Sequence, residues 1–171
     1  MRASTLVVAT LLASVAVSQA EEKRELGSHE HGHVTLAVAI EGGRLEMELE
    51  APGQNIVGFE HAAETDEQKA AVEKARTQLA DAAAVFTLPQ AAGCTADEAK
   101  VELHSEGEHN AFEVRYTYTC SEPAELTRIE TKLFALYPTI EEVDVDYATA
   151  GGQGSVELEA DKPVIALPGS A

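Results

Sequence analysis

The sequence contains no tryptophan, and aromatic residues make up only 5% of its 171 residues. A core built from this chain therefore rests mainly on valine, leucine, isoleucine and alanine side chains. Basic residues are also scarce, since 12 lysines and arginines stand against 30 aspartates and glutamates, for a formal net charge of −18. Such a charge argues against nucleic acid or anionic lipid as a partner and favours cations. Charge alone does not define a site, because many acidic surfaces only keep a protein in solution.

The common sequence signatures of enzymes are absent as well. The chain has no GxSxG motif, no HExxH motif and no glycine-rich phosphate loop between a strand and a helix. The GGQG segment at 151–154 joins two short strand-like runs, and we interpret it as a turn. Carboxylates are so numerous that any choice of an acid–base pair is arbitrary. The sequence therefore predicts a protein without enzymatic activity, and an enzyme with an unrecognised site is the alternative.

A long apolar run occurs only near the start of the chain. Arg2 is followed by an apolar stretch from Leu6 to Val17 and by a segment that ends SQA at position 20. This pattern predicts a secretory signal peptide over residues 1–20, too short for a comfortable membrane span. No cysteine follows the run, which argues against a lipid anchor. We expect residues 21–171 to form a single soluble, exported domain without a membrane span.

Cys94 and Cys120 are the two cysteines of the chain. Thiols of an exported protein can be oxidised, so a disulfide is the favoured interpretation. A zinc–thiolate site is the alternative, but the sequence offers no CxxC-like pair for it. A bridge would close a loop of about 25 residues and stabilise the fold by roughly 3 kcal/mol.

Two hairpins are predicted from alternating apolar residues. In the first, HVTLAVAI and RLEMELE flank a Gly42-Gly43 turn, and apolar faces match when Ile40, Val38 and Leu36 oppose Leu45, Met47 and Leu49. The opposite face then carries His33 and glutamates. In the second, AKVELH and AFEVRYTYTC match when Leu103 opposes Phe112 and Val101 opposes Val114. This register brings Cys94 to within about one residue of the position opposite Cys120, which supports the disulfide independently of the compartment.

Two helices complete the predicted order. TDEQKAAVEKARTQLADAAAVF begins with a Thr65–Gln68 capping box and carries an apolar stripe, and PAELTRIETKLFALYP has apolar residues at helical spacing before Pro138. The segment APGQNIVGFEHA between the first hairpin and the first helix is predicted to be irregular. EEVDVDY, VELEA and PVIALP are predicted strands. The fold class is thus α+β, with a largely antiparallel sheet in the order ββαββαββ and two covering helices.

Six histidines are the candidate metal ligands: His29, His31, His33, His61, His104 and His109. If the first strand extends backward, His29, His31 and His33 lie on one side, about 6.6–7 Å apart, and His61 follows Pro52 by only nine residues. We therefore predict one site from these four residues and a separate, weaker site at His104 and His109 on the second hairpin. Simpler interpretations remain: HEHGH as a solvated tail, His61 as a structural loop residue, and His104 with His109 as a solvated hairpin tip. Imidazole does not discriminate zinc from copper(II) or nickel.

The sequence also resembles the ZrgA-like family of bacterial periplasmic zinc-uptake proteins. The resemblance rests on HEHGH, NIVGFEHA, F-LP-AAGC, the strand ending in Cys120, LF-LYP and GQG, in that order, from His29 to about Leu167. It implies a periplasmic zinc-binding accessory, without enzymatic activity, that works with the substrate-binding protein of a zinc ABC importer. His29, His31, His33 and His61 and the Cys94–Cys120 pair match the family pattern.

One departure concerns the second hairpin. Members of the family can carry a long insert there, rich in histidine, aspartate and glutamate, but this chain has only HSEGEHN. A large zinc capacity at this loop is therefore not expected. Two other functions remain open from the sequence: an envelope interaction module whose histidines are incidental, and a copper or nickel chaperone.

Overall fold

The computed structural model describes residues 32–107 and 109–168. The strands in this part of the chain are β1 (His33–Glu41), β2 (Arg44–Pro52), β3 (Phe86–Thr87), β4 (Cys94–Ala96), β5 (Lys100–Glu106), β6 (His109–Cys120), β7 (Arg128–Thr131), β8 (Glu142–Thr149), β9 (Gly152–Leu158) and β10 (Val164–Ala166). The α-helices are α1 (Gly53–Val57), α2 (Asp66–Ala80), α3 (Ala82–Val85) and α4 (Leu133–Leu136). The predicted signal peptide, His29 and His31 lie outside the described residues.

The first hairpin has the predicted register. Ile40 opposes Leu45, Val38 opposes Met47 and Leu36 opposes Leu49. All six side chains are buried, and the residues between them face the other side of the sheet. Alternation of apolar and polar residues is sufficient to determine this register, because a slip of one residue would expose every apolar side chain.

The strands form two sheets whose inner faces share one core. The larger sheet has seven strands in the order β4-β6-β2-β1-β8-β9, with β5 also paired to β6, and the smaller has the order β10-β7-β3. Each neighbouring pair is antiparallel except β1 and β8, which run parallel. Parallel pairing places the first residues of β1 and β8 at the same end of the sheet.

The second hairpin and its disulfide are also confirmed. Leu103 opposes Phe112 and Val101 opposes Val114, as the alternation predicts. On the other part of β6, Cys94 lies directly opposite Cys120, and the two sulfur atoms are bonded. The disulfide therefore fastens the edge strand β4 to β6.

Helix α2 covers the inner face of the large sheet. The predicted capping box is present, since the Thr65 hydroxyl accepts a hydrogen bond from the backbone nitrogen of Gln68, and the Gln68 side-chain oxygen accepts one from the backbone nitrogen of Thr65. At the far end, the Tyr116 hydroxyl donates to the carbonyl oxygen of Leu79 at 2.8 Å. Burial raises the pKa of Tyr116, so its hydroxyl stays a donor. Val72, Ala75 and Leu79 are buried, as the predicted stripe requires.

The predicted second helix over residues 123–138 is wrong. The segment forms a short 3₁₀ turn at Pro123–Glu125, strand β7 and the one-turn helix α4. Ile129 and Thr131 are buried while Arg128 and Glu130 are exposed, which is the alternation of a strand. Strand β7 pairs with β3 and β10, and these distant partners outweigh the apparent helical spacing.

The predicted order ββαββαββ with two covering helices is not confirmed, although the α+β class and the mostly antiparallel sheet are. The segment predicted to be irregular contains α1, and the predicted turn at 151–154 partly belongs to β9. The first residue of α1, Gly53, has to be a glycine, because a side chain there would collide with Asn110 and with the carbonyl oxygen of Phe59. Between residues 32 and 168, Glu108 aside, no helix combines the length and apolar character that crossing a membrane requires.

Candidate metal centre

One face of the seven-stranded sheet is polar and points away from the core; we call it the outer face. On β1, His33 alternates with buried Val34 and Leu36. On β8, Glu142 and Asp144 alternate with buried Val143 and Val145. The two strands are parallel neighbours, with His33 beside Glu142 and Thr35 beside Asp144. Burial of the apolar residues thus places an imidazole and two carboxylates on the outer face, next to one another.

These three side chains form a compact group of ligand atoms. His33 Nδ1 lies 3.6 Å from Glu142 Oε1 and 3.9 Å from Asp144 Oδ2. One ligand atom from each residue falls within 4.8 Å of the other two, and no other set of three or more His, Cys, Asp or Glu in the described parts of the chain does so. Ligands of a tetrahedral zinc ion are about 3.3–3.6 Å apart, so small side-chain adjustments would enclose an ion. We call this set the β1–β8 group.

The carboxylates of the β1–β8 group repel each other. Burial raises the pKa of Glu142 above its ordinary value, and so do a hydrogen bond to Asp144 and the negative charges of Asp144 and Glu157. The nearby His33 acts in the opposite direction. Glu157 lies opposite Asp144 on β9. A divalent cation would remove this repulsion, which favours cation binding here.

The backbone immediately before His33 is not extended. Gly32 has a φ of +92°, in the region that favours glycine, and β1 begins only at His33. Regular alternation of side chains therefore stops at this glycine. His31 and His29 precede this glycine and lie outside the described residues, so their predicted role as ligands stays a prediction.

A second group lies on the hairpin of β5 and β6. His104 Nε2 is 3.3 Å from Glu102 Oε2 and 3.3 Å from Glu113 Oε2. Glu102 and Glu113 oppose each other in the register, and His104 is about half exposed. We call these three residues the hairpin group. It also combines one imidazole with two carboxylates, but it uses a local antiparallel pair.

His61 and His109 have other partners. His61 Nδ1 lies 2.8 Å from the carbonyl oxygen of Ala62, and its ring stacks on Phe59 with 5.2 Å between centroids. His109 Nδ1 lies 2.8 Å from Glu60 Oε2. In the described parts of the chain, neither joins a group of three ligand atoms. Their predicted role as metal ligands stays a prediction.

Glu142 and Asp144 are the candidate ligands that sequence reasoning missed. The EEVDVDY segment is predicted to be a strand, and its valines alternate with acidic residues. What the local pattern does not contain is the neighbour of that strand. Strand β8 pairs with β1, from the opposite end of the described chain, and only this pairing brings the carboxylates to His33.

The fold and these groups define an α+β protein with histidine–carboxylate clusters on one sheet face. The sequence over residues 28–167 matches the family described as ZrgA family zinc uptake protein. The chain therefore belongs to the ZrgA family, as the resemblance of its motifs indicated. No curated protein sequence matches the chain significantly.

Proposed function

We propose that this protein binds zinc in the periplasm, with His33, Glu142 and Asp144 as ligands, and assists its uptake. The observation that carries the proposal is the convergence of these three side chains within 4.8 Å on parallel strands. Imidazole nitrogen and carboxylate oxygen are both common zinc ligands. Membership of a zinc uptake family supports zinc over other divalent metals.

Three protein ligands leave one position of a tetrahedral ion open. His31 and His29 lie two and four residues before His33, so either imidazole could complete the coordination without a long loop closure. An open or exchangeable position also suits a protein that must release its ion. The ligand side chains are between about a quarter and a half exposed, so an ion can reach them from solvent.

We further propose that the protein is exported after cleavage near Ala20, has no enzymatic activity and delivers zinc to a high-affinity ABC importer through its substrate-binding protein. The disulfide between Cys94 and Cys120 supports an oxidising compartment. The family description supports a role in uptake. The excess of acidic residues supports a cationic cargo, since it lowers the electrostatic cost of bringing a dication to the surface.

The hairpin group supports a second zinc site of lower affinity. His104 lies equally close to two carboxylates, which is the same ligand chemistry as in the β1–β8 group. Its side chain is about half exposed, compared with about a third for His33, so water competes more effectively there. His109, which contacts Glu60, is not part of this group.

Zinc titration of the exported protein tests the proposal. We compare the parent with His33→Ala and with the matched control His104→Ala, using a competing chelator of known affinity. His33→Ala should weaken the tighter site by about 100-fold or more, because a direct ligand contributes at least as much as the groups that orient it. His104→Ala should leave that site unchanged within about twofold, as expected for a distant position.

Parallel titrations with copper(II) and nickel(II) examine the choice of metal. A metal buffer sets the free concentration of each metal in these titrations. Occupancy of the β1–β8 group by zinc in preference to copper(II) and nickel(II) under these conditions would support uptake of zinc. A tight site that is unaffected by His33→Ala would refute the assignment of the β1–β8 group. Stoichiometric binding of copper alone would instead support the chaperone alternative.

A further inference from the structure

Asn55 is one of the few polar side chains that the fold buries, with only 2% of its surface exposed. It lies in α1, within the NIVGFEHA segment, and its carboxamide carries no charge. Its Oδ1 accepts a hydrogen bond from the backbone nitrogen of Gly32 at 3.0 Å. Its Nδ2 donates to the backbone oxygen of His33 at 2.8 Å. One carboxamide thus holds both backbone groups at the point where the chain enters β1.

The strand that carries the carboxylates is attached to the same residue. The Thr139 hydroxyl donates to the backbone oxygen of Asn55 at 2.6 Å. The backbone nitrogens of Glu141 and Glu142 donate to the oxygen of Gly32 at 2.8 and 3.1 Å. Hydrogen bonds therefore connect α1, the start of β1 and the start of β8 in a closed ring, and the ring adjoins the β1–β8 group.

We propose that Asn55 is a positioning residue for the metal centre: it sets where His33 stands relative to Glu142 and Asp144. This inference rests on the proposed function of the β1–β8 group. An asparagine suits the position because its planar amide donates and accepts at the same time, whereas an ionised aspartate only accepts and leucine does neither. Zinc tolerates only small deviations of ligand distance, so a displaced β1 would lower affinity even if all three ligands remained.

The proposal also explains why the HEHGH and NIVGFEHA segments meet. The sequence predicts His61 as the link between the second segment and the first. In the structure the link is Asn55, six residues earlier in the chain, while His61 packs on Phe59. The contact is made through backbone groups of the first segment, so side-chain chemistry alone did not indicate it.

Asn55→Asp is the decisive variant. Aspartate has the same shape and retains an acceptor for Gly32, but it places an oxygen against the carbonyl oxygen of His33. If Asn55 acts by positioning, zinc binding weakens by about tenfold or more, the range found when groups that orient metal ligands are altered. If only electrostatics mattered, the added negative charge would tighten zinc binding. The two mechanisms therefore predict opposite signs.

Thr131→Val serves as the matched control for loss of stability. Thr131 is also 2% exposed, and its hydroxyl accepts a hydrogen bond from the backbone nitrogen of Leu133 at 3.2 Å, but it belongs to the three-stranded sheet. This variant should lower the Tm and leave the zinc Kd within about twofold of the parent. Thr139→Val removes the hydrogen bond from the Thr139 hydroxyl to the backbone oxygen of Asn55 and keeps the Asn55 carboxamide. It should therefore weaken zinc binding by less than Asn55→Asp does.

Zinc titrations of these variants, made where each is folded by circular dichroism, test the inference. Weaker binding in Asn55→Asp and Thr139→Val, with unchanged binding in Thr131→Val, is the expected result. Unchanged or tighter binding in Asn55→Asp and Thr139→Val, while His33→Ala still removes the site, would overturn the role of Asn55 and leave the proposed function intact. Should Asn55→Asp not fold, Thr139→Val decides by the same criterion. Equal zinc affinity in the parent and in His33→Ala would refute the proposed function itself.

Discussion

The β1–β8 group and the hairpin group contain the same side chains, one imidazole and two carboxylates, but the fold assembles them differently. The first joins strands from opposite ends of the described chain, whereas the second lies within one antiparallel hairpin. A local group forms as soon as its hairpin forms, because little loop entropy opposes it. A group between distant strands requires the complete sheet. Zinc at the β1–β8 group should therefore stabilise the whole fold, and zinc on the hairpin should do so less.

The largest effect on stability should come from the disulfide, which belongs to the hairpin side of this comparison. Replacement of both cysteines, Cys94→Ser with Cys120→Ser, should lower the free energy of unfolding by about 3 kcal/mol, because the unfolded chain gains freedom. Denaturant unfolding measures this loss. The zinc Kd of the β1–β8 group should stay within about twofold of the parent. Two alkylatable thiols in the unreduced parent would contradict the bridge.

A substitution at Gly32 introduces backbone strain beside the β1–β8 group and not beside the hairpin group. Gly32→Ala places a side chain at a φ of +92° and within 3.2 Å of the Glu141 side chain. We expect a loss of about 1–2 kcal/mol in stability and weaker zinc binding, because His33 must shift. Gly107→Ala is the control: its φ is +63°, and nothing lies within 4 Å of the added carbon. It should cost similar stability and leave the β1–β8 group unchanged; equal losses of affinity in both would erase the distinction.

Removal of the Tyr116 hydroxyl should affect stability alone. Tyr116→Phe leaves the carbonyl oxygen of Leu79 without its 2.8 Å partner, at an expected cost of about 1 kcal/mol in thermal or chemical unfolding. Tyr118→Phe should cost less, since its contact with the oxygen of Ala82 is 3.5 Å long. Neither variant should alter zinc binding, and a changed Kd would show that α2 and the outer face are coupled.

Tyr118 also predicts a pH effect on stability. Burial, together with the charge of Asp81, raises the pKa of Tyr118 to about 12. The folded state thus holds this proton more tightly than the unfolded chain, whose tyrosines titrate near 10. The stabilisation is fully present below pH of about 10 and is lost as the pH rises through about 12. Tyr118→Phe should show a smaller loss over this interval in unfolding experiments.

The smallest expected difference concerns the pH dependence of zinc binding. Each group contains one imidazole that must be unprotonated to bind metal, so this dependence is common to both. The raised pKa of Glu142 adds a second competing proton at the β1–β8 group. Protonation of Glu142 therefore stabilises the metal-free folded protein at low pH. This stabilisation is lost as the pH rises through the raised pKa of Glu142. The increase in Tm caused by zinc should thus be larger at pH 7.5 than at pH 5, with a steeper change in the parent than in Glu142→Gln.

Local patterns in the sequence predict much of this fold. The predictions of both hairpins and their registers rest on the alternation of apolar residues, and the prediction of the disulfide rests on the register and on the expected export. The hairpins, the registers and the disulfide are confirmed. The failed helix at 123–138 shows the limit of such patterns. Four of its apolar residues, Leu126, Ile129, Leu133 and Tyr137, are buried. Their spacing is nevertheless produced by a 3₁₀ turn, a strand that pairs with distant segments and one helical turn.

The candidate site divides in the same way. His33 and the outward direction of the acidic residues follow from the local alternation, and so does the position of His104 beside Glu102. The parallel pairing of β1 with β8 and the hydrogen bonds of Asn55 are contacts between distant segments. No periodic pattern encodes them. A sequence therefore predicts which residues are available on a face more readily than which of them meet.

Diffraction from crystals of the zinc-loaded protein, recorded on both sides of the zinc absorption edge, tests the central claim most directly. An anomalous peak should lie between β1 and β8, about 2.0–2.2 Å from His33 Nδ1 and from one oxygen each of Glu142 and Asp144. A weaker peak beside His104 would agree with the second site. A strong peak only at the hairpin or at His61, with none between β1 and β8, would contradict the account.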